Sequence, residues 1–185
     1  LHKFEVNYLN PQKLIDFNSN CLIFDSSSLI YIYKADLINI LYNNFKVYIS
    51  NYIYNEINSG KDDLILQIRE KTNIYDIDEI DILKYFENLN YIKKKKLTKA
   101  DLSTLVLFEK LKYPIVTEDK NIINILFYRN ESFLNSLSFI FILYKIGILE
   151  KKNAIFKLFE INKYGYYNEN IFSEIYNFLL KYKKE

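Results

Sequence analysis

Apolar and polar positions alternate along this chain in two rhythms. Short, continuously apolar runs of four or five residues recur between longer stretches of helical periodicity. "CLIFD" opens with apolar Cys21 to Phe24, a length and composition that fit a strand buried on both faces. Behind it "SSSLIYIYKADLINILYNNF" has helical spacing and predicts one helix to about Phe45. "KVYIS" predicts a second strand, and Ser50 is placed to cap a helix through "NYIYNEIN" that Gly60 ends. "KDDLILQIREKT" predicts a helix, "NIYDI" a short strand, and "DEIDILKYFENLNYIKKKK" a helix with a basic end. Thr98 to Lys112 predicts a helix, "YPIVT" a strand, and Lys120 to Tyr128 a helix. Residues 1–20 read as a lead-in with one helical turn.

Strands separated by helices predict parallel βαβ units with helices on both faces of the sheet. Beyond Arg129 the texture changes to helices broken at Gly147 and Gly165, with no strand in view. No internal repeat and no Pro/Gly/Ser linker interrupts the chain. The expectation is a single domain over residues 1–185, with a core over about 20–130 and a helical C-terminal extension over about 131–185. Within that extension Ile171, Ile175, Phe178, Leu179 and Tyr182 share one helical face. That face either packs on its own core or meets a second subunit or a protein partner.

Composition removes whole classes of chemistry. Half of the 185 residues are hydrophobic, including 18 Tyr and 14 Phe, which is the make-up of a globular chain. The net charge of +2 argues for neither a nucleic-acid nor a membrane partner. Cys21 is the one cysteine and His2 the one histidine, so disulfides, thiolate zinc sites and histidine-centred triads are not expected. Gly60, Gly147 and Gly165 are too scattered for a phosphate-cradling glycine loop. An enzyme built from this chain works with carboxylates, hydroxyls and lysines. The N-terminus shows no basic-then-apolar signal pattern. The longest apolar stretch, near Leu137 to Leu149, is broken by Lys145 and falls short of the about 20 residues a membrane helix needs. A cytoplasmic chain is expected.

Four acids stand where such chemistry would be placed. Ligands of parallel sheets bind beyond the carboxyl ends of the strands, where strand order reverses. Asp25 and Asp119 each follow a predicted strand; Glu56 lies in the helix after the second strand, and Asp101 in the first turn of the helix begun at Thr98. Each has an ordinary role open to it. Asp119 suits an N-cap, Asp25 a turn, Glu56 a solvated helix face, and Thr98 with Asp101 the spacing of a capping box. Three or four carboxylates converging without His or Cys also match what Mg²⁺ or Mn²⁺ requires, since these ions take oxygen ligands.

"IFDSSSLI", "NYIYNEI", "TKADLSTLVLFEKL" and "YPIVTEDKNI" carry a resemblance. In this order and context they resemble the PIN-domain nucleases, most closely the toxin-type (VapC-like) branch, over roughly residues 20–130. The tail resembles, more loosely, the helical extension of predicted nucleic-acid-binding PIN proteins. The resemblance implies a three-layer α/β/α fold with a central, mostly parallel sheet. It implies that Asp25, Glu56, Asp101 and Asp119 form a catalytic, metal-binding acidic cluster for Mg²⁺ or Mn²⁺. Ser26, Ser27 and Thr117 match its hydroxyl positions, either bonded to carboxylates or satisfying turn backbone. Ala100 stands where many relatives have Gly, and Glu118 adds an acid expected to face solvent.

The implied activity is metal-dependent hydrolysis of RNA by the toxin of a toxin–antitoxin pair, with an antitoxin and a second copy of the chain as candidate partners. An RNA-processing or repair nuclease without an antitoxin, and a non-catalytic nucleic-acid-binding PIN protein, are the alternatives. Lys93, Lys94, Lys95, Lys96 and Lys99 read either as a solvated helix end or as contacts to a phosphate backbone. Asp76, Asp78, Glu79 and Asp81 form a rival acidic group that lacks the glycine and final glutamate of a calcium loop, and it reads as structural. The tyrosines either stack on bases or fill core and interface.

Overall fold

The structure is a computed structural model that describes residues 11–58, 64–90, 96–165 and 167–183. Five parallel strands run β1 (Cys21–Phe24), β2 (Lys46–Ser50), β3 (Asn73–Tyr75), β4 (Ile115–Val116) and β5 (Phe133–Leu134). Their spatial order is β3-β2-β1-β4-β5, so β1 is central and the chain builds outward from it in both directions. Register is set by Ile23 opposite Tyr48 on one side and Ile115 on the other. Helices cover both faces, which gives the α/β/α layering that the strand–helix alternation predicts.

The central strand shows why the layers form. Leu22 and Phe24 point into one core and Ile23 into the other, as the two-residue period of a strand demands. The larger core gathers α1 (Pro11–Ile15), α2 (Ser26–Lys34), α3 (Ile38–Asn44), α4 (Asn51–Asn58) and α5 (Leu64–Lys71), and then α9 (Ser136–Lys145), α10 (Lys151–Tyr164) and α11 (Glu169–Lys181). The opposite face is covered by α6 (Glu79–Asn88), α7 (Lys99–Leu111) and α8 (Lys120–Tyr128).

Three local departures from the periodicity have physical causes. The predicted helix from Ser26 to Phe45 is two helices, because Asp36 takes a left-handed conformation at φ 55°. The amide of Leu37 donates to the Ile32 carbonyl and that of Asp36 to Tyr33, a Schellman stop that brings Leu37 back onto the core beside Ile32. Strand β5 exists where no strand is expected. Two residues carry no readable period, and Phe133 and Leu134 are strand only because they pair with Ile115 and Val116. Helix α6 ends at Asn88, short of the lysine run, so that run is not its basic end. Lys93, Lys94 and Lys95 lie outside the described residues, as do His2 and Gly60.

Helix α9 is buried on every side from Ser136 to Tyr144, enclosed by the sheet, α10 and α11. Each large side chain sealed this way contributes about 1.5–3 kcal/mol relative to exposure, which explains a helix with almost no polar face. Lys145, at its end, donates to the carbonyls of Leu14, Ile15 and Phe17 and so terminates α1. The tail's apolar stripe is spent internally. Ile175 and Leu179 are buried, and Phe178 and Tyr182 pack on Phe141 at 4.6 and 5.2 Å.

Candidate active site

The strand order places a crevice between β1 and β4, whose outgoing connections leave in opposite directions. Asp25 follows β1 directly, and Thr117, Glu118 and Asp119 follow β4. One hydroxyl joins the two strand ends. Thr117 Oγ1 donates to Asp25 Oδ2 and accepts from the Asp119 amide at 3.0 Å. Asp25 Oδ2 also accepts from the Glu118 amide at 3.1 Å, while Oδ1 caps α2 through Ser28 N at 2.7 Å. Burial pushes the Asp25 carboxyl above its usual range, against hydrogen bonds from Thr117, Ser28 and Glu118 that pull it down.

The remaining acids arrive on helices. Asp119 caps α8, with Oδ1 accepting from Asn121 and Ile122 amides at 2.7 and 2.9 Å. Asp101 completes a capping box: its Oδ2 accepts from Thr98 N and Thr98 Oγ1, and its own amide donates back to Thr98 Oγ1. The Asp101 carboxyl is raised first by burial, opposed by the Thr98 hydrogen bonds, and raised further by the charges of Asp119 and Asp25. The three aspartates are therefore electrostatic neighbours as well as caps. Glu56 sits on the exposed side of α4, where its Oε2 accepts from Ser26 Oγ at 2.9 Å, one residue from Asp25. Ser27 makes no hydrogen bond to these acids among the described residues.

The donor set suits a hard divalent cation in kind. It is all oxygen, and Asp101 and Asp119 each commit one carboxylate oxygen to a cap and leave the other outside it. Burial is the main cause that raises Asp101, and the repulsion from Asp119 and Asp25 that adds to it is what a bound cation would relieve. Among the described residues, no three His, Cys, Asp or Glu side chains stand close enough together to hold a metal ion as they are placed.

Other polar residues build this end of the sheet, and of their roles only the capping of α4 by Ser50 is signalled in the sequence. Ser50 and Ser103 share a buried hydrogen bond at 2.6 Å that ties β2 to α7, and Ser50 also caps α4 through Ile53 N. Glu118 corrects its sequence expectation. It does not face solvent; its Oε1 accepts from the Ser136 amide at 2.7 Å, at the start of α9. Strand parity explains the turn inward, since Glu118 leaves on the same face as Val116, which lies in the larger core. Burial pushes its carboxyl up to about 7, partly opposed by Ser136. The Tyr167 phenol lies against it and is driven strongly upward by its own burial and by the Glu118 charge.

Three of the four rival acids are occupied elsewhere, and the fourth, Asp78, stands at the N-cap position of α6. Asp76 accepts from Asn51 Nδ2 at 2.6 Å, Glu79 pairs with Lys99, and Asp81 pairs with Lys110 at 2.6 Å. Lys99 thus has an exposed ion-pair partner, and Lys96 is exposed.

No helix among the described residues is long and apolar enough to cross a membrane. No curated protein matches the chain. A sequence model described as a PIN domain matches residues 21–179, from the first residue of β1 to the last turn of α11. PIN domains are generally nucleases and typically use divalent metals, so the match supports a hydrolase acting on nucleic acid. It spans the sheet, the crevice and every acid described above, and the chain belongs to the PIN-domain family.

Proposed function

We propose that this protein is a divalent-metal-dependent endoribonuclease that acts as the toxin of a toxin–antitoxin pair. The observation that carries the nuclease reading is the junction of β1 and β4, where the Thr117 hydroxyl links the Asp25 carboxylate to the Asp119 amide, with Asp101 near enough that both acids' charges add to the burial that raises its carboxyl. Asp25, Asp101 and Asp119, with Glu56 beside them, are the residues that would hold Mg²⁺ or Mn²⁺. When bound, such an ion lowers the pKa of water and offsets charge at the phosphoryl group. The chain's own residues prepare the place. Thr117 fixes the relation of Asp25 to Asp119, Thr98 fixes Asp101, and Ser26 holds Glu56. Lys93 to Lys96 and Lys99 supply positive charge for the phosphate backbone in this reading. The choice of RNA, the antitoxin and a homodimer rest on the resemblance of the four motifs to toxin-type relatives.

A second reading, a nucleic-acid-binding PIN protein without turnover, draws on one observation: no three acidic side chains among the described residues form a ready ligand set. Cleavage separates the two. Single-stranded RNA incubated with the full chain and Mn²⁺ should be cut, and chelator should stop it. Asp25→Asn, Asp101→Asn and Asp119→Asn should each lose most turnover while melting cooperatively. Full activity in any two of them overturns the shared-site mechanism, and equal cutting of single-stranded DNA sets aside the RNA preference.

A further inference from the structure

Glu118 lies between two acids of the candidate site and the C-terminal helices, and nothing in the proposed chemistry uses it. Its backbone and its side chain face opposite tasks. The amide donates to Asp25 Oδ2, while the carboxylate accepts from the first amide of α9, at Ser136. That amide is one of the orphan donors of a helix start, and α9 is otherwise sealed in the core. The neighbouring Thr117 amide donates to Leu134 O, so two consecutive residues, Thr117 and Glu118, fasten the β4 turn to β5 and α9.

The third wall comes from the chain's far end. Gly165 ends α10, and a Cβ there would lie 2.2 Å from the Tyr167 ring. The absence of a side chain at Gly165 is what lets Tyr167 turn inward against Glu118. The buried Tyr167 hydroxyl and Ser136 Oγ both lack a well-formed hydrogen bond, and both border the Glu118 carboxyl. Burying such groups without a partner costs free energy, which the surrounding packing must offset.

We propose that Glu118 is a positioning residue: clamped by the Ser136 amide and covered by Tyr167, it holds the Thr117–Asp119 turn in register with Asp25. The C-terminal helical pair thereby supports the site without touching substrate. The inference rests on the proposed nuclease reading for its effect on turnover, and on the geometry alone for its effect on the turn.

The test compares wild type with Glu118→Ala, Glu118→Gln and Tyr167→Leu in the full chain. Hydrogen exchange at residues 117–119 and 136 is followed alongside kcat and KM for RNA cleavage. Glu118→Ala should raise exchange at those amides and lower kcat about tenfold or more, with KM within about twofold. Glu118→Gln keeps an acceptor for Ser136 N and should restore both. Tyr167→Leu should raise exchange in the same turn and lower kcat severalfold. Wild-type exchange and kcat in Glu118→Ala would overturn the proposal, as would a Gln variant no better than Ala, which would mean the charge itself is needed. Wild-type behaviour of Tyr167→Leu would overturn the role of the C-terminal pair. If Glu118→Ala does not fold, the Gln and Leu variants decide. If wild type cuts nothing, the nuclease reading fails and the exchange data still judge the positioning role.

Discussion

Glu118→Gln should make the protein more stable at alkaline pH and leave it nearly unchanged in mild acid. The wild-type carboxyl is raised from its ordinary 4.5 to about 7 in the folded chain, with burial as the main cause. Below about pH 4.5 both folded and unfolded forms hold the proton, so the group costs nothing. Between there and pH 7 the unfolded chain releases a proton that the folded chain retains, and stability falls as pH rises. Above pH 7 the cost is complete. At about 1.4 kcal/mol per pH unit the full cost is about 3 kcal/mol. Glu118 as a whole keeps some surface while its carboxyl is enclosed, and solvent screening trims the gain to roughly 1–2.5 kcal/mol between pH 5 and pH 8. Gln mimics the protonated acid in shape and keeps an oxygen for the Ser136 amide. Urea denaturation of both proteins in chelator, across that range, reads the difference directly. The raised Asp25 carboxyl is common to both and cancels to first order. Parallel stability curves, or a gap that opens in the opposite sense, would refute the reasoning.

Thr117→Val keeps the shape but removes the hydroxyl shared by Asp25 and the Asp119 amide; leaving those groups short of a partner should cost about 1–3 kcal/mol. A melting temperature equal to wild type would show that the hydroxyl is dispensable. Asp101→Asn retains an oxygen for the Thr98 amide and relieves repulsion from Asp119 and Asp25, so in chelator it should stay within about 1 kcal/mol of wild type. In Mn²⁺ the wild type should gain about 1.4 kcal/mol at tenfold saturation and this variant should lose most of that gain; equal metal-induced shifts would exclude Asp101 as a ligand.

Short-range physics made part of this fold legible in the chain. Four apolar residues ending in Asp25, set off from the helical periodicity behind them, fit a buried strand, and the 13-residue helix after Thr98 declares both its period and its cap. Membership of the PIN-domain family was legible for the same reason, because the four motifs are local. Tertiary structure alone decided the rest. Strand β5 is strand only beside β4, and the break at Asp36 exists because Leu37 must return to a core assembled from distant segments. The acids were visible singly, each with an ordinary local role open to it. Asp25, Asp101 and Asp119 do serve in caps, and only the packing of β1, β4 and α7 makes the three feel one another. Glu118 shows the limit most plainly. An acid after a strand is ordinarily solvated, and its burial depends on Ser136 and Tyr167, 18 and 49 positions further along the chain. Charge and burial depend on distance in space, which a linear pattern records only where the chain is locally regular.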